Sequence, residues 1–332
     1  MNLDNLYKVL EGQPKYRTQQ AQDVIFKKLA SDWSEATNLS KELKEKLNKE
    51  CPLEIKGEIF TSQNSETSKV LITLIDGLQI ESVLLPHKDG RFTVCVSTQV
   101  GCPLACKFCA TGKMGLKRNL DYNEMIEQVL FFSRYLAKEN KKVSNVVYMG
   151  MGEPFLNYDN VMKSIKYINE YLQIGARRIS VSTSGILEGI KKLSDEKMQI
   201  NLAISLHAPN DKLRSELMPI NKGFNIAKVL AEVDNYIIKT GRRVMFEYLM
   251  IRGVNDQPKH ALELADLMRK HLYMVNLISY NPTDVFKASS SKDIKKFREI
   301  LEQEGVAVTQ RYSFGQDIEA ACGQLANKNI KV

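Results

Sequence analysis

The stretch FTVCVSTQVGCPLACKFC (92–109) decides how this chain is read, because a strand runs in it directly into a cysteine-rich loop. FTVCVST (92–98) has the β-branched and aromatic content of a strand. Beyond the loop, Met125, Ile126, Val129, Leu130 and Leu136 recur on one helical face. The strand–helix unit then repeats. SNVVYMG (144–150), RISVSTS (178–184), INLAISLH (200–207), RVMFEYLMI (243–251) and MVNLISYN (274–281) read as strands, with helical stretches between them, among them 158–172 and 291–304. VAVTQRYS (306–313) reads as a closing strand. Such alternation implies a parallel sheet or barrel. Six units are fewer than the eight of a closed barrel. The expected fold is therefore α/β, a partial (β/α)6 barrel over residues 92–332.

Upstream the pattern changes. Residues 1–50 are polar, mix Lys with Glu, and carry Ala21, Val24, Ile25 and Leu29, then Leu39, Leu43 and Leu47, at helical spacing. They read as a small helical accessory domain. Residues 51–91 hold short apolar runs, VLITLI (70–75) and ESVLLP (81–86), broken by Asp76-Gly77 and Ser/Asn-rich stretches. That is the pattern of an antiparallel β extension. The chain of 332 residues is 43% hydrophobic and 26% charged, enough for a substantial core. Its formal net charge of +8 suits an anionic partner such as RNA. The first residues lack a signal-peptide layout and no apolar run reaches the length of a membrane span. A cytoplasmic protein with no membrane partner is expected. Its six cysteines then point to metal binding or catalysis rather than to structural disulfides.

Gly150-Met-Gly152-Glu153-Pro154, Ser182-Thr-Ser-Gly185, Ser205-Leu206-His207 and Asn281-Pro282 all fall at the carboxyl ends of expected strands. Parallel barrels and doubly wound sheets place their sites there. Gly, Ser and Pro end strands everywhere, so only the coincidence of all four stretches argues for a site. Gly152 lets backbone approach a ligand closely, and Pro154 fixes the turn. A core histidine is the plain alternative for His207.

Cys102, Cys106 and Cys109 are spaced C-x3-C-x2-C just after the first barrel strand. Thiolates are natural ligands of iron–sulfur clusters and of zinc. Three on one tight loop can hold three irons of a cubane and leave the fourth open for a substrate. Structural zinc wants four protein ligands, and no obvious fourth lies nearby. Cys95 on the first strand and Cys322 after the last read, taken singly, as small buried residues, although the order of the chain could bring both to one barrel mouth. Cys51 has no partner motif, and the single Trp33 reads as core. Lys113, Lys117 and Arg118 flank the cysteine loop, where basic residues could meet phosphates.

CVSTQVGCPLACKFCATGKMGLKRNL (95–120), YMGMGEPFLN (148–157), ISVSTSGI (179–186), LAISLHAPNDKLRSELMPINK (202–222), VNLISYNP (275–282) and DIEAACGQLA (317–326) together resemble the RlmN/Cfr family of radical S-adenosylmethionine RNA methyltransferases. The likeness covers nearly the whole chain, and GQPKYRTQQ (12–20) is similar to that family's small helical RNA-binding domain. Phe108 resembles the aromatic often found between the cysteines of such enzymes. The resemblance implies a [4Fe-4S] cluster held by Cys102, Cys106 and Cys109, with the amino and carboxylate groups of S-adenosylmethionine chelating its open iron. It implies further cofactor contacts at Gly152, Glu153, Ser182, Ser205, Leu206, His207 and Asn281. It implies that Cys322 takes a methyl group from one S-adenosylmethionine and that a radical from a second removes a hydrogen from it. The carbon radical then adds to the base, and Cys95 resolves the adduct by closing a disulfide with Cys322, which must be reduced before the next turnover. Glu81 matches the family's proposed acid–base carboxylate; an exposed strand glutamate is the plain alternative.

The partners implied are 23S rRNA at the peptidyl-transferase centre and tRNA at an anticodon-adjacent adenosine. An electron donor such as flavodoxin or ferredoxin is implied as well, with the enzyme a monomer. Pro154 is similar to the RlmN branch, which methylates C2 of adenosine; the Cfr branch, which methylates C8, has alanine at the matching position. Two rivals stay open. A zinc-stabilised RNA-binding module without catalysis leaves Cys95 and Cys322 unexplained. A radical enzyme for a small molecule leaves the N-terminal helices and the basic residues beside the loop unexplained.

Overall fold

Apolar residues placed at helical spacing form helices first. In the computed structural model, which describes residues 1–283, 285–311 and 315–326, the chain opens with α1 (Leu3–Val9), α2 (Lys15–Gln22) and α3 (Lys41–Glu50). Asn2 and Ser40 cap α1 and α3 by accepting backbone N–H groups of the first turn. β1 (Gly57–Thr61), β2 (Ser68–Thr73) and β3 (Gln79–Pro86) then run antiparallel onto β4 (Phe92–Cys95). A two-stranded hairpin, β5 (Gln99–Gly101) with β6 (Leu116–Asn119), brackets the cysteine loop and the short α4 (Ala110–Lys113). The remainder alternates: α5 (Tyr122–Ala137), β7 (Asn145–Tyr148), α6 (Tyr158–Tyr171), β8 (Ile179–Thr183), α7 (Leu187–Asp195) and β9 (Asn201–Ser205). α8 (Asp211–Leu217), α9 (Ile226–Thr240), β10 (Val244–Met250), α10 (Pro258–Met268), β11 (Tyr273–Ser279), α11 (Ser291–Gln303) and β12 (Val308–Arg311) complete it.

All strands but the hairpin join one ten-stranded sheet in the order β1-β2-β3-β4-β7-β8-β9-β10-β11-β12. Every pairing from β4 to β12 is parallel. Inner faces of strands from β3 to β12 line one cavity, so the sheet curves into an incomplete barrel. This is the α/β fold expected from the alternation. The strands are mostly shorter than expected by one to three residues at an end, β4 most clearly. Past Cys95 the Val96 N–H still donates to the Val147 carbonyl of β7, and the Thr98 N–H donates to the Met151 carbonyl, three residues beyond the end of β7. β12 is described as far as Arg311, and Tyr312 and Ser313 lie outside the described residues.

The N-terminal helices share one continuous apolar core with the sheet. Phe26 stacks on Tyr171 of α6 with ring centroids 5.1 Å apart. Arg134 of α5 donates to the carbonyls of Ala30, 2.6 Å away, and Leu53, 2.9 Å away. The Met1 ammonium pairs with Glu127 of α5. Trp33 is fully buried, as expected, and its indole N–H donates to the Cys51 carbonyl at 2.8 Å. Among the described residues no helix is long and apolar enough to cross a membrane.

Candidate active site

One cavity of about 770 Å³ opens at the carboxyl ends of the parallel strands. The cysteine loop forms one wall, with Cys102, Cys106 and Cys109 all facing in. The loop is shaped by its neighbours. Gly101 has φ +80, and a Cβ there would collide with the Gly115 carbonyl, which itself accepts from the Cys102 N–H at 3.1 Å. Leu104, Phe108 and Met218 supply apolar surroundings, and burial raises the Cys102 thiol to about 12. A bound metal centre reverses that preference by holding the thiolate. Among the described residues, no three His, Cys, Asp or Glu side chains converge as a single-ion site requires. A cubane needs no such convergence, since each thiolate ligates a different corner. Three inward thiols in an apolar cradle fit that group better than they fit one zinc ion.

The strand ends supply the next wall. Gly152 has φ +103 and lies so close to Gln99 that a Cβ would come within 2.6 Å of it. The Glu153 N–H donates to Gln99 Oε1 at 2.8 Å. The Glu153 carboxylate accepts from the backbone N–H groups of Ser184 (2.8 Å) and Phe155 (3.1 Å), stitching the GMGEP turn to the end of β8. Burial raises its pKa, and these donors oppose the rise. Ser182 and Ser205 both line the cavity, their hydroxyls 3.4 Å apart. His207 also lines it. Its Nδ1 accepts from the Leu249 N–H at 3.1 Å, and its ring meets Phe108 edge-on at 4.8 Å.

Leu206 is different: it is fully buried and not part of the cavity lining. Its N–H donates to the Glu247 carbonyl and its own carbonyl accepts from Arg214. Asn281 faces the cavity, yet its amide is engaged with the C-terminal segment, donating to the Cys322 carbonyl (3.1 Å) and accepting from Gln316 (2.8 Å).

Cys95 and Cys322 face the same cavity as the triad. They are close enough that a charge on Cys322 raises the Cys95 thiol, which burial chiefly pushes up to about 12. Both are free thiols here. Arg311 lies beside them; the charges of Cys322, Glu247 and Cys95, in that order, favour its guanidinium. The segment carrying Cys322 is strapped down by Thr111, which donates to the Leu325 carbonyl at 2.6 Å, and by the Ala110 N–H, which donates to the Gly323 carbonyl at 2.7 Å.

Glu81 is buried rather than exposed. It lies on the face of β3 that also carries the cavity residues Val83 and Leu85, but outside the lining itself. Its carboxylate pairs with the buried Lys69 at 2.7 Å and accepts from the Ala326 N–H at 2.8 Å.

Known proteins resemble this chain over nearly its whole length. The family model of the Radical SAM superfamily matches residues 96–265, and that of the ribosomal RNA large subunit methyltransferase N-terminal domain matches residues 2–53. A probable dual-specificity RNA methyltransferase RlmN of Dictyoglomus thermophilum is 46% identical over 99% of this chain and 96% of its own length. The protein of that name from Spiroplasma citri is 45% identical over 97% and 94%. This chain belongs to the RlmN family of radical S-adenosylmethionine RNA methyltransferases. The crystal structure of a radical SAM methyltransferase from Sphaerobacter thermophilus superposes with a TM-score of 0.93 at 43% identity, covering 98% of this chain and 97% of that one. Membership of the RlmN family brings a [4Fe-4S] cluster and S-adenosylmethionine as cofactors.

Several residues in and beside the cavity escape sequence reading. Arg214 is fully buried and donates to the carbonyls of Leu206, Phe224, Ser184 and Ser205 and to Asn221 Oδ1. Glu247, Asn276 and Arg311 line the cavity. A lone glutamate inside the apolar run RVMFEYLMI was the available signal. Arg118, in contrast, does not offer a free charge beside the loop. Its guanidinium pairs with Glu124 at 2.7 Å and with Asp76 at 2.6 Å, holding the hairpin against α5.

Proposed function

We propose that this RlmN-family enzyme methylates C2 of an adenosine in 23S rRNA and in tRNA, with Cys322 carrying the transferred carbon and Cys95 resolving the adduct. The observation that carries the reading is that Cys95, at the end of β4, and Cys322, past β12, face one cavity together with Cys102, Cys106 and Cys109. Adenine C2 is an electron-poor carbon and cannot attack a sulfonium methyl as a thiolate can. A carrier thiol answers that difficulty. When bound at the triad, the cluster with its S-adenosylmethionine supplies a 5′-deoxyadenosyl radical for removing hydrogen from an unactivated methyl group.

The chain's own residues do the rest. Cys102, Cys106 and Cys109 hold the cluster. Gly152, Glu153, Ser182, Ser205 and His207 shape the cofactor's bed, and Leu206 and Asn281 act through backbone and loop. Cys322 accepts a methyl group and presents its carbon to the base. Once that carbon is bonded to C2, the adduct has to give up its unpaired electron, which the oxidised cluster would take back as a one-electron acceptor, and the C2 proton. Cys95 then attacks the Cys322 sulfur. The S–C bond breaks, its electron pair goes to the product carbon, which takes a proton, and a disulfide remains. A thiol or an electron donor such as flavodoxin or ferredoxin reduces it. Glu81, on the cavity-facing side of β3 and paired with Lys69, is the candidate to take the C2 proton. Arg311 offsets negative charge on the two cysteines.

Pro154 supports C2 over C8. Nucleosides from RNA of a strain lacking this protein should contain less 2-methyladenosine, and re-expression should restore it by mass spectrometry. If 8-methyladenosine alone responds, the C8 reading replaces this one.

A further inference from the structure

Glu247 is 4% exposed and lines the cavity. One carboxylate oxygen is held: Asn276 Nδ2 donates to Oε2 at 2.8 Å, and Asn276 Oδ1 in turn accepts from Thr309 at 2.9 Å. The other, Oε1, is buried and has no hydrogen-bond partner among the described residues. A buried acceptor left without a donor costs free energy, and the Asn276–Thr309 chain keeps the carboxylate from turning away. Arg311 is near enough for the Glu247 charge to act on it, yet it does not bond Oε1. A gap therefore separates an acceptor from a donor, and both face the cavity.

The order of groups matters. Glu247 stands on β10 and Arg311 two strands on, on β12, while Cys322 lies past the end of β12, and all three line the cavity. The charges of Cys322, Glu247 and Cys95 all act on the Arg311 guanidinium. In strand order the wall therefore runs from carboxylate to guanidinium to the Cys322 segment. Along one edge of adenine, the donor N6 amino group, the acceptor N1 and C2 follow one another in the same order. Enzymes that act on an unpaired base read this edge by hydrogen bonds. We propose that Glu247 and Arg311 read that edge of the target base, Glu247 Oε1 accepting from the N6 amino group and Arg311 donating to N1. The inference rests on the reading that Cys95 and Cys322 act at an adenine C2. Guanine presents the inverse pattern, a donor at N1 and an acceptor at O6. It meets Arg311 with a donor and Glu247 with an acceptor, so the pair rejects it.

The test compares an RNA stem-loop that the wild-type enzyme methylates with the same RNA carrying purine riboside at the target, which keeps C2–H and N1 but lacks the N6 amino group. With reconstituted wild-type enzyme, kcat/KM should fall roughly tenfold to a hundredfold for the purine RNA, the scale of one good base contact. Glu247→Ala should methylate both RNAs at similar, lowered rates, and Glu247→Gln should recover part of the preference. S-adenosylmethionine affinity, measured by equilibrium dialysis, and iron content should match wild type in both variants. Full discrimination in Glu247→Ala would overturn the inference. So would equal preference in the wild type, or a loss of S-adenosylmethionine affinity that accounts for the lowered rate, which would place Glu247 on the cofactor. If Glu247→Ala does not fold, Glu247→Gln alone decides: wild-type discrimination in it also overturns the claim. Failure of the underlying reading is seen separately, as wild-type enzyme that forms no 2-methyladenosine in the unmodified RNA.

Discussion

At position 207 a histidine adopts left-handed backbone, φ +56, an uncommon conformation for a residue with a side chain. Its N–H is bonded to the Glu247 carbonyl, its carbonyl to Asn255, and its Nδ1 to the Leu249 N–H. Burial, with the Arg214 charge, lowers its pKa from 6.5 to about 3. The folded state therefore binds no proton there over a range in which the unfolded chain does. Stability from this site is fully present above pH 6.5 and is lost as pH falls toward about 3, by at most about 1.4 kcal/mol per pH unit. Buried Glu153 and Glu247, whose pKa values are raised by burial, act in the opposite sense, so only a comparison isolates the histidine. Denaturant titrations at pH 7 and pH 5 should show a smaller loss for His207→Gln than for wild type. The cysteines make a simpler prediction at this scale. Anaerobically reconstituted protein should be brown and hold about four irons per chain, as one cubane requires. Cys102→Ala, Cys106→Ala and Cys109→Ala should each lose turnover and most of that iron. Stoichiometric zinc without sulfide in active protein would refute the assignment.

Among the elements, the strand ends carry the site, and Arg214 holds two of them together. Its guanidinium reaches from α8 to the carbonyls that end β8 and β9. Arg214→Met should leave these carbonyls without donors and destabilise the fold by about 3 kcal/mol, read from the urea midpoint. Arg214→Lys should recover part of that loss and less of the S-adenosylmethionine affinity, because a point charge cannot reach all the carbonyls at once. Most of this layer was legible beforehand. The motifs at residues 150–154, 182–185 and 205–207 fall at strand ends because alternation places them there. What was not legible is the direction each group is turned. Glu153 lines the cavity while its carboxylate accepts from two backbone N–H groups. Leu206 is buried outside the lining and is bonded through its backbone. Arg118 reads as a phosphate contact and is taken up by Glu124 and Asp76. Such choices depend on partners distant in sequence, which no local pattern announces.

For the whole molecule, the parallel sheet followed from strand–helix alternation, and the antiparallel β1–β3 from short runs broken by turn residues. The continuity of the core was not legible: Arg134, Phe26 and the Met1 ammonium join the N-terminal helices to α5 and α6 through contacts that span most of a hundred residues or more. Nor could spacing alone bring Cys95 and Cys322 together, since the intervening sheet has to curve before they share a wall. That juxtaposition is the centre of the account, and one measurement tests it most directly. Cys95→Ala enzyme, reconstituted and given S-adenosylmethionine, reductant and substrate RNA, should accumulate protein covalently joined to RNA. The joined species should run as a shifted band on a denaturing gel, and mass spectrometry should place the link at Cys322. The Cys95→Ala, Cys322→Ala double variant should form none, with its cluster intact. Normal turnover by Cys95→Ala, or an adduct that survives removal of Cys322, would contradict it.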